Sequence, residues 1–272
     1  MDMNQVHQEC VSQLRAFTES IGCKEVIVGL SGGLDSSVTA ALCVDAFGAQ
    51  HVHGVLMPGP FSSDHSLTDA HDLAERLGIE ARTFSIKEPF LAFEQVFRQA
   101  YGEDLAGLAA ENSQARCRMI VLMALSNQYG WMVVNTGNKS EAMMGYSTLY
   151  GDTAGAYAPL GGLYKTHVFE LAEWMNQQAR AAGQVEPIPQ HVIDKPPSAE
   201  LSAGQEDEKS LGVSYKLLDQ ILIRLVEREM SVHEVAAEGF DAAEVERIEK
   251  TMRSYAFKRA LEPPFPSFDF CR

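Results

Sequence analysis

A turn rich in glycine and serine, Ser31 to Ser37, holds the residues of this sequence best suited to chemistry on a phosphate. An apolar run from Val26 to Leu30 precedes the turn and is typical of a β-strand, and apolar residues at helical spacing follow it. Gly32 and Gly33 let the backbone take positive φ and approach a ligand closely. The backbone N–H groups of such a strand-to-helix turn point into one concavity, which is a site for anions. The turn therefore predicts a phosphate site.

Two carboxylates and a lysine from separate segments add charged groups to this prediction. Asp35 lies inside the turn, where a carboxylate would repel phosphate unless a hard cation such as Mg²⁺ lay between them. Glu141 follows a predicted strand that ends at the same edge of the sheet, so the two acids could share one cation. Lys165 ends a long polar loop and could offset the charge of a leaving group. Taken singly, Glu141 also fits an exposed helix cap and Lys165 a solvated side chain.

Predicted strands and helices alternate through the first two thirds of the chain. The strands are expected at 25–30, 51–57, 81–86 and 131–135, and the helices at 6–17, 35–47, 64–77, 89–99, 112–129 and 166–182. The helix at 112–129 is apolar nearly all round, which predicts burial on every side. Alternation of this kind predicts an α/β fold with a parallel sheet covered by helices on both faces. Ligands of such sheets bind beyond the carboxyl ends of the strands.

Two long segments interrupt this pattern. Residues 136–165 are polar and glycine-rich, and residues 183–213 are proline-rich and predicted to be mobile without ligand. Helices are predicted at 215–229, 231–237 and 241–259. We interpret residues 1–272 as a single domain, with an ATP-binding core at about 20–182 and a loop and C-terminal helical part at about 183–272.

Composition narrows the classes of function. The chain has 272 residues and a formal net charge of −15, and it shows no basic face for a nucleic acid. No apolar run is long enough to predict a membrane span, and the N-terminus does not resemble a signal peptide. The five cysteines, an odd number without a C-x-x-C pair, suggest free thiols in a reducing cytoplasm.

The motif Ser-Gly-Gly-x-Asp-Ser resembles the PP-loop of the ATP pyrophosphatases, the adenine nucleotide α-hydrolase superfamily. Four later motifs resemble NAD synthetase, and their order and spacing match its synthetase domain: Asn112 to Met119, Thr136 to Glu141, Gly145 to Asp152 and Lys195 to Leu201. The resemblance covers about residues 10–259. It implies a Rossmann-like, doubly wound parallel sheet of five strands with helices on both faces, and a homodimer.

The resemblance also implies roles for individual residues. Asp35, Lys165 and Asp152 are expected to be catalytic, with Asp152 near the nicotinate end of the substrate. Asp35 and Glu141 are expected to hold Mg²⁺, and Arg118, Glu141 and Lys258 to bind deamido-NAD⁺. ATP is expected to contact the turn and three residues outside it: Gly29, Leu30, Ser31, Gly32, Gly33, Leu34, Asp35, Ser36, Thr136, Lys165 and Ser198.

The reaction implied is the amidation of deamido-NAD⁺ at the cost of ATP, through an acyl-adenylate, giving NAD⁺, AMP and pyrophosphate. Because the sequence shows no amidase domain ahead of the turn, we expect either free ammonia or a separate glutaminase partner as nitrogen source. Another adenylating amidotransferase or a tRNA thiolase of the superfamily is an alternative. A nucleotide-binding subunit without catalysis is a second one.

Overall fold

The computed structural model describes residues 1–202 and 204–270, and its centre is a parallel sheet. The strand order is β3-β2-β1-β4, and neighbouring strands pair in parallel throughout. The strands are β1 (Val26–Gly29), β2 (Val52–Leu56), β3 (Glu80–Thr83) and β4 (Met132–Val133). The predicted positions of all four strands are confirmed, and the predicted α/β class is confirmed with them.

The expectation of a fifth strand is wrong. Beyond β4 a single parallel bridge joins Val134 to Tyr157, and it does not extend into a strand. The backbone bonds there run from the N–H of Asn135 to the Tyr157 carbonyl at 2.9 Å and from the N–H of Ala156 to the Val133 carbonyl at 2.9 Å. Pro159 follows two residues after the bridge and has no N–H to continue the ladder. The segment therefore pairs at one point and then turns away.

Helices cover both faces of the sheet, and β1 is therefore buried on both sides. Val26 and Val28 pack with the core shared by α1, α2 and α7, whereas Ile27 packs with α5 on the opposite face. The first eight helices are α1 (Met3–Ser20), α2 (Leu34–Phe47), α3 (Asp64–Leu77), α4 (Lys87–Tyr101), α5 (Leu108–Tyr129), α6 (Lys139–Met144), α7 (Lys165–Ala181) and α8 (Gln190–Asp194). The predicted doubly wound arrangement is thus confirmed with four strands.

Helix α5 is not buried all round, contrary to the prediction. Met119 and Leu122 are buried against the sheet, but Ile120 is 69% exposed and Met123 is 41% exposed. These residues alternate between two faces at helical spacing. Their apolar character misled the burial prediction, because the second apolar face points away from the core.

The C-terminal part forms its own apolar cluster beside the carboxyl end of the sheet. Leu218, Leu222, Val245 and Ile248 are fully buried in it. Its helices are α9 (Asp207–Leu211), α10 (Tyr215–Leu222), α11 (Val232–Ala237), α12 (Ala242–Ser254) and α13 (Ala256–Arg259), and a π-helical turn (Ile223–Glu227) continues α10. The single helix predicted at 241–259 is broken at Tyr255, between α12 and α13.

The structure also bears on the predictions about cysteine pairing and membrane spans. Cys10, Cys23, Cys43 and Cys117 are free thiols, and Cys271 lies outside the described part. Among the helices that the structure describes, none combines the length and the apolar character that crossing a membrane requires.

Candidate active site

The turn from Ser31 to Ser37, here called the phosphate turn, lies at the carboxyl end of the central strand β1. Gly32 takes a φ of +75°, and a Cβ atom built on it would lie 2.2 Å from the carbonyl oxygen of Ser66. A side chain is therefore excluded at this position both by conformation and by space. Gly33 is the N-cap of α2 and has no side-chain cap, so the first N–H groups of that helix face the site.

Serine hydroxyls of the same segment satisfy the phosphate turn internally. The Ser36 hydroxyl bonds the Ser31 hydroxyl at 3.0 Å, and the Ser37 hydroxyl donates to the carbonyl of Gly33 at 2.8 Å. The N–H of Gly33 donates to the Ser31 hydroxyl at 3.2 Å. All of these partners lie within six residues of one another, so the shape of the turn is encoded locally.

Three charged side chains converge directly beside the turn. The amine of Lys165 donates to the Asp35 carboxylate and lies 3.3 Å from Glu141 Oε1. The Lys165 side chain is 3% exposed, against 17% for Asp35 and 20% for Glu141. The ring of Tyr215 lies below the amine, 5.3 Å from its centroid. The sequence predicts Asp35 and Glu141 at the same edge of the sheet and Lys165 at the end of a loop, and in the structure the three side chains meet.

The pKa directions describe a cluster with surplus negative charge. Burial alone would lower the pKa of Lys165, but the charges of Asp35 and Glu141 outweigh burial and raise it. Burial raises the pKa of Glu141, Lys165 opposes this rise, and the neighbouring charges of Asp35 and Asp207 add to it. The Lys165 amine therefore lies near three carboxyl groups, those of Asp35, Glu141 and Asp207. A further cation bound beside them would be attracted by the remaining negative charge.

The residues present fit a magnesium ion bound together with a nucleotide. Among the described residues no group of three or more His, Cys, Asp or Glu side chains is arranged to hold a metal by itself. Mg²⁺ is usually held by one or two carboxylates plus substrate phosphates. Asp35 and Glu141 supply two such carboxylates next to the phosphate turn.

Asn138 is a residue that the sequence reasoning missed. Its side chain is 1% exposed, donates to Asp35 Oδ1 at 2.9 Å and accepts the N–H of Glu141 at 3.1 Å as the N-cap of α6. It therefore orients both acids. The pattern Asn-x-x-Glu is a helix-start signature and could have revealed this role.

Asp207 was missed as well, because it lies in the 183–213 segment, which the sequence predicts to be mobile without ligand. It is 5% exposed, lines the cavity and accepts a hydrogen bond from the Tyr146 hydroxyl at 3.2 Å. Nothing in the sequence separates it from its exposed neighbour Glu208, because only the path of the chain carries it inward.

A cavity of about 300 Å³ extends from the phosphate turn along the carboxyl edge of the sheet. Its walls include most of the predicted ATP and substrate residues outside α2: Gly29, Leu30, Ser31, Gly33, Arg118, Thr136, Glu141, Asp152, Lys165 and Ser198, together with Leu34, Asp35 and Ser36 of α2. Gly32 and Lys258 do not line it. The volume is at the lower end of the range for small-molecule sites.

Asp152 also lines this cavity, and the residue as a whole is exposed. Its carboxylate accepts the backbone N–H of Thr148, which closes the loop 145–152 on itself. Burial of its carboxyl group away from water raises the pKa of Asp152 to about 6, while the bond from Thr148 and the charges of Lys258 and Arg118 act against the rise. The Ser147 hydroxyl lines the same wall, is buried and has no partner among the described residues.

Lys258 does not line the cavity but bonds the backbone of the loop 145–152. Its amine donates to the carbonyls of Gly145 at 2.7 Å and Ser147 at 2.5 Å. Arg118 reaches the cavity from α5 and donates to the Met57 carbonyl at 3.1 Å. Arg116, two residues earlier, is exposed and donates to the Leu149 carbonyl at 3.2 Å, so the two arginines point apart, because residues two apart on a helix lie on different faces.

Ser198 belongs to a segment that lines the cavity and is bonded to α3 and its N-cap. In this segment Glu200 takes a φ of +49° and accepts the hydroxyls of Ser63 and Ser66, each at 2.8 Å. Lys195 pairs with the buried Asp69 at 2.6 Å. Lys195 and Glu200 thus anchor the motif Lys195 to Leu201 of the 183–213 segment to α3 and to its N-cap Ser63.

Comparison with known proteins identifies the family. The family model described as NAD synthase matches residues 6–262. The chain belongs to the NAD synthase family. Within this family it is 44% identical over 270 residues to a glutamine-dependent NAD(+) synthetase of Rhodobacter capsulatus, covering 97% of this chain and 48% of that protein.

Other NAD synthase relatives are of the chain's own length. An NH(3)-dependent NAD(+) synthetase of Wolinella succinogenes is 40% identical over 255 residues, covering 94% of this chain and 93% of that protein. The solved structure of an NMN synthetase from Francisella tularensis is similar with a TM-score of 0.79 and 31% identity, covering 95% and 96% of the two chains. The chain spans about half the length of the glutamine-dependent relatives that it matches.

Proposed function

We propose that this protein is a ligase that amidates deamido-NAD⁺ with ammonia, forming NAD⁺, AMP and pyrophosphate from ATP. The observation that carries the proposal is the meeting of Asp35, Glu141 and Lys165 beside the phosphate turn. Membership of the NAD synthase family supports it. The two-step route through an acyl-adenylate, the choice of nitrogen donor and the roles of single residues belong to this proposal.

In the first step an oxygen of the nicotinate carboxylate attacks the α-phosphorus of ATP. The bond from that phosphorus to the bridging oxygen breaks, and pyrophosphate leaves with the electron pair. Backbone N–H groups of the phosphate turn and of the first turn of α2 hold the departing diphosphate, and Lys165 offsets its growing charge. Asp35 and Glu141 would hold Mg²⁺, which when bound neutralises charge on the phosphates.

In the second step ammonia attacks the acyl carbon, and the bond to the AMP oxygen breaks. The attacking nitrogen loses a proton, and Asp152, whose pKa of about 6 leaves it ionised at neutral pH, would accept it. No side-chain nucleophile takes part. Most of the rate enhancement then comes from positioning and from charges fixed before the reaction.

The remaining proposals concern the assembly and the location. Five apolar residues of α4 and α5 are 55–73% exposed, and contact with a second copy of the chain would cover some of them: Leu91, Val96, Tyr101, Leu108 and Ile120. We therefore propose a homodimer. A single domain over residues 1–272 and a cytoplasmic location are part of the same proposal, as is the absence of nucleic-acid and membrane partners.

The test is AMP formation from ATP with each substrate left out in turn. We expect AMP only when deamido-NAD⁺ and ammonium are both present, and we expect glutamine to replace ammonium only when a glutaminase is added. Nicotinate mononucleotide in place of deamido-NAD⁺ tests the activity that the name of the Francisella relative indicates. AMP formation without any dinucleotide, or none in any combination, would contradict the proposal.

A further inference from the structure

Helix α10 carries a buried carboxylate that none of the proposed catalytic steps uses. Asp219 is 1% exposed, and it lies one helical turn after Tyr215, the ring below the Lys165 amine. An acid this deeply buried is destabilising unless its oxygens are fully bonded. Its bonding partners therefore show what it holds in place.

Both carboxylate oxygens of Asp219 bond the chain next to catalytic residues. Oδ1 accepts the Ser140 hydroxyl at 2.5 Å, and Oδ2 accepts the backbone N–H of Thr166 at 2.8 Å. The Ser140 hydroxyl in turn accepts the backbone N–H of Lys165 at 2.8 Å. Ser140 directly precedes Glu141, so one carboxylate joins the two segments that carry Glu141 and Lys165.

These bonds replace a cap that α7 lacks. The N-cap residue of α7, Tyr164, makes no side-chain cap bond, so the first N–H groups of the helix need acceptors from elsewhere. Ser140 caps the N–H of Lys165 and Asp219 caps that of Thr166. A carboxylate at this end is also favoured by the helix dipole.

A second carboxylate on the same element repeats the arrangement. Glu227, in the π-helical turn that continues α10, accepts the Tyr164 hydroxyl at 2.6 Å and pairs with Lys139 at 2.5 Å. Lys139 and Tyr164 are the residues directly before Ser140 and Lys165. A π-helical turn advances fewer degrees per residue than an α-helix, which turns Glu227 towards the side that carries Asp219.

We propose that Asp219 is a positioning residue for the reaction: through Ser140 and the start of α7 it fixes the distance between Glu141 and Lys165, and Glu227 reinforces it. The C-terminal helical part thereby sets the geometry of the charge cluster without touching a substrate. This inference rests on the proposed function for its kinetic consequence but not for its structural one.

The test uses Asp219→Asn in the full chain, with Asp241→Asn as matched control. Asp241 is likewise a helix N-cap, accepting the N–H of Glu244 at 2.8 Å, but it belongs to the exposed start of α12. Hydrogen exchange of the Lys165 and Thr166 amides is measured first, because it needs no activity. We expect these amides to exchange at least about tenfold faster in Asp219→Asn and at the parental rate in Asp241→Asn.

The kinetic measurement is the exchange of labelled pyrophosphate into ATP with deamido-NAD⁺ and no ammonium, which reports the first step alone. A misplacement of about 1 Å lowers such rates by about 10- to 100-fold, so we expect a fall of this size in kcat for Asp219→Asn. The KM for ammonium in the complete reaction should change less than about twofold, because Asp219 acts on the phosphate step.

Ser140→Ala provides a second variant in case Asp219→Asn fails to fold. It removes one hydroxyl and leaves the bond from Asp219 to Thr166, so we expect the same kcat defect with a smaller size. The proposal would be overturned if, in either variant, the Lys165 and Thr166 amides stayed protected from hydrogen exchange and pyrophosphate exchanged into ATP at the parental rate. If the parent protein itself catalyses no pyrophosphate exchange, the proposed function fails, and amide exchange alone still decides whether Asp219 holds α7.

Discussion

The phosphate turn and the loop 145–152 both line one cavity, and they are held in shape in different ways. The turn is closed by its own residues, with Ser31, Ser36 and Gly33 bonded to one another. The loop is closed partly by the bond from Thr148 to Asp152 and partly by Lys258, more than a hundred residues away. The shape of the proposed ATP site is thus encoded locally, whereas the shape of the loop proposed to bind the second substrate depends on the tertiary fold.

The largest effect is expected from Asp35→Ala in the phosphate turn. It removes a carboxylate that meets Lys165 and one of the two proposed ligands of Mg²⁺. We expect pyrophosphate release to fall by about 10²- to 10³-fold, as when a single charge-stabilising group is removed from an active site. Asp64→Ala is the control, since Asp64 is also an acid in the first turn of a helix but is exposed. Near-parental turnover in Asp35→Ala would contradict the metal role.

Gly32→Ala tests whether the turn tolerates any side chain. Gly22→Ala separates the effect of positive φ from the effect of the close contact with Ser66. Both glycines have positive φ, but a Cβ at Gly22 meets nothing within 4 Å, whereas one at Gly32 meets Ser66. We expect the free energy of unfolding to fall by about 1 kcal/mol for Gly22→Ala and by about 3 kcal/mol for Gly32→Ala. Equal losses in urea denaturation would show that the close contact with Ser66 is unimportant.

Asp152→Asn tests the chemistry of the loop 145–152 through its pH dependence. Since the pKa of Asp152 is raised to about 6, the carboxylate gains its proton as the pH falls through this value. We expect kcat, compared at equal free ammonia, to fall below about pH 6 in the parent protein. In the variant this acid limb should be absent and the plateau lower by about tenfold. An unchanged pH profile in the variant would exclude Asp152 as the group that titrates.

Lys258→Met is expected to have the smallest effect and tests the long-range hold on the loop. The variant loses two bonds to the carbonyls of Gly145 and Ser147 while keeping most of the side-chain volume. We expect a rise of about 5- to 10-fold in the KM for deamido-NAD⁺ and faster amide exchange in residues 145–152. The KM for ATP should stay within about twofold. A change in the KM for ATP alone would contradict the assignment of the loop 145–152 to deamido-NAD⁺ and of the phosphate turn to ATP.

The same contrast explains how much the sequence predicted. The four strands and the meeting of Asp35 with Glu141 followed from periodicity, turn residues and the common edge of a parallel sheet. The fifth strand was wrong because pairing beyond β4 stops after one bridge at Tyr157. Apolar periodicity could not predict the exposed face of α5, because it cannot distinguish a core from a surface that suits a partner.

Residues with long-range roles were the ones that stayed hidden. Asn138 had a local signal, as a helix cap three residues before Glu141, whereas Asp207 and Asp219 had none. An Asp in a helix or an acidic run is normally exposed. Only the packing of the C-terminal helices against α6 and α7 brings these two acids to the cavity edge and to the start of α7.

The most direct test of the central claim follows an oxygen atom. Deamido-NAD⁺ labelled with ¹⁸O in its nicotinate carboxylate is converted with ATP and ammonium, and the products are analysed by mass spectrometry. If the carboxylate attacks the α-phosphorus, one ¹⁸O atom is transferred to each AMP and none to pyrophosphate. AMP without the label, or label in pyrophosphate, would contradict the adenylation that the phosphate turn and its charge cluster are proposed to support.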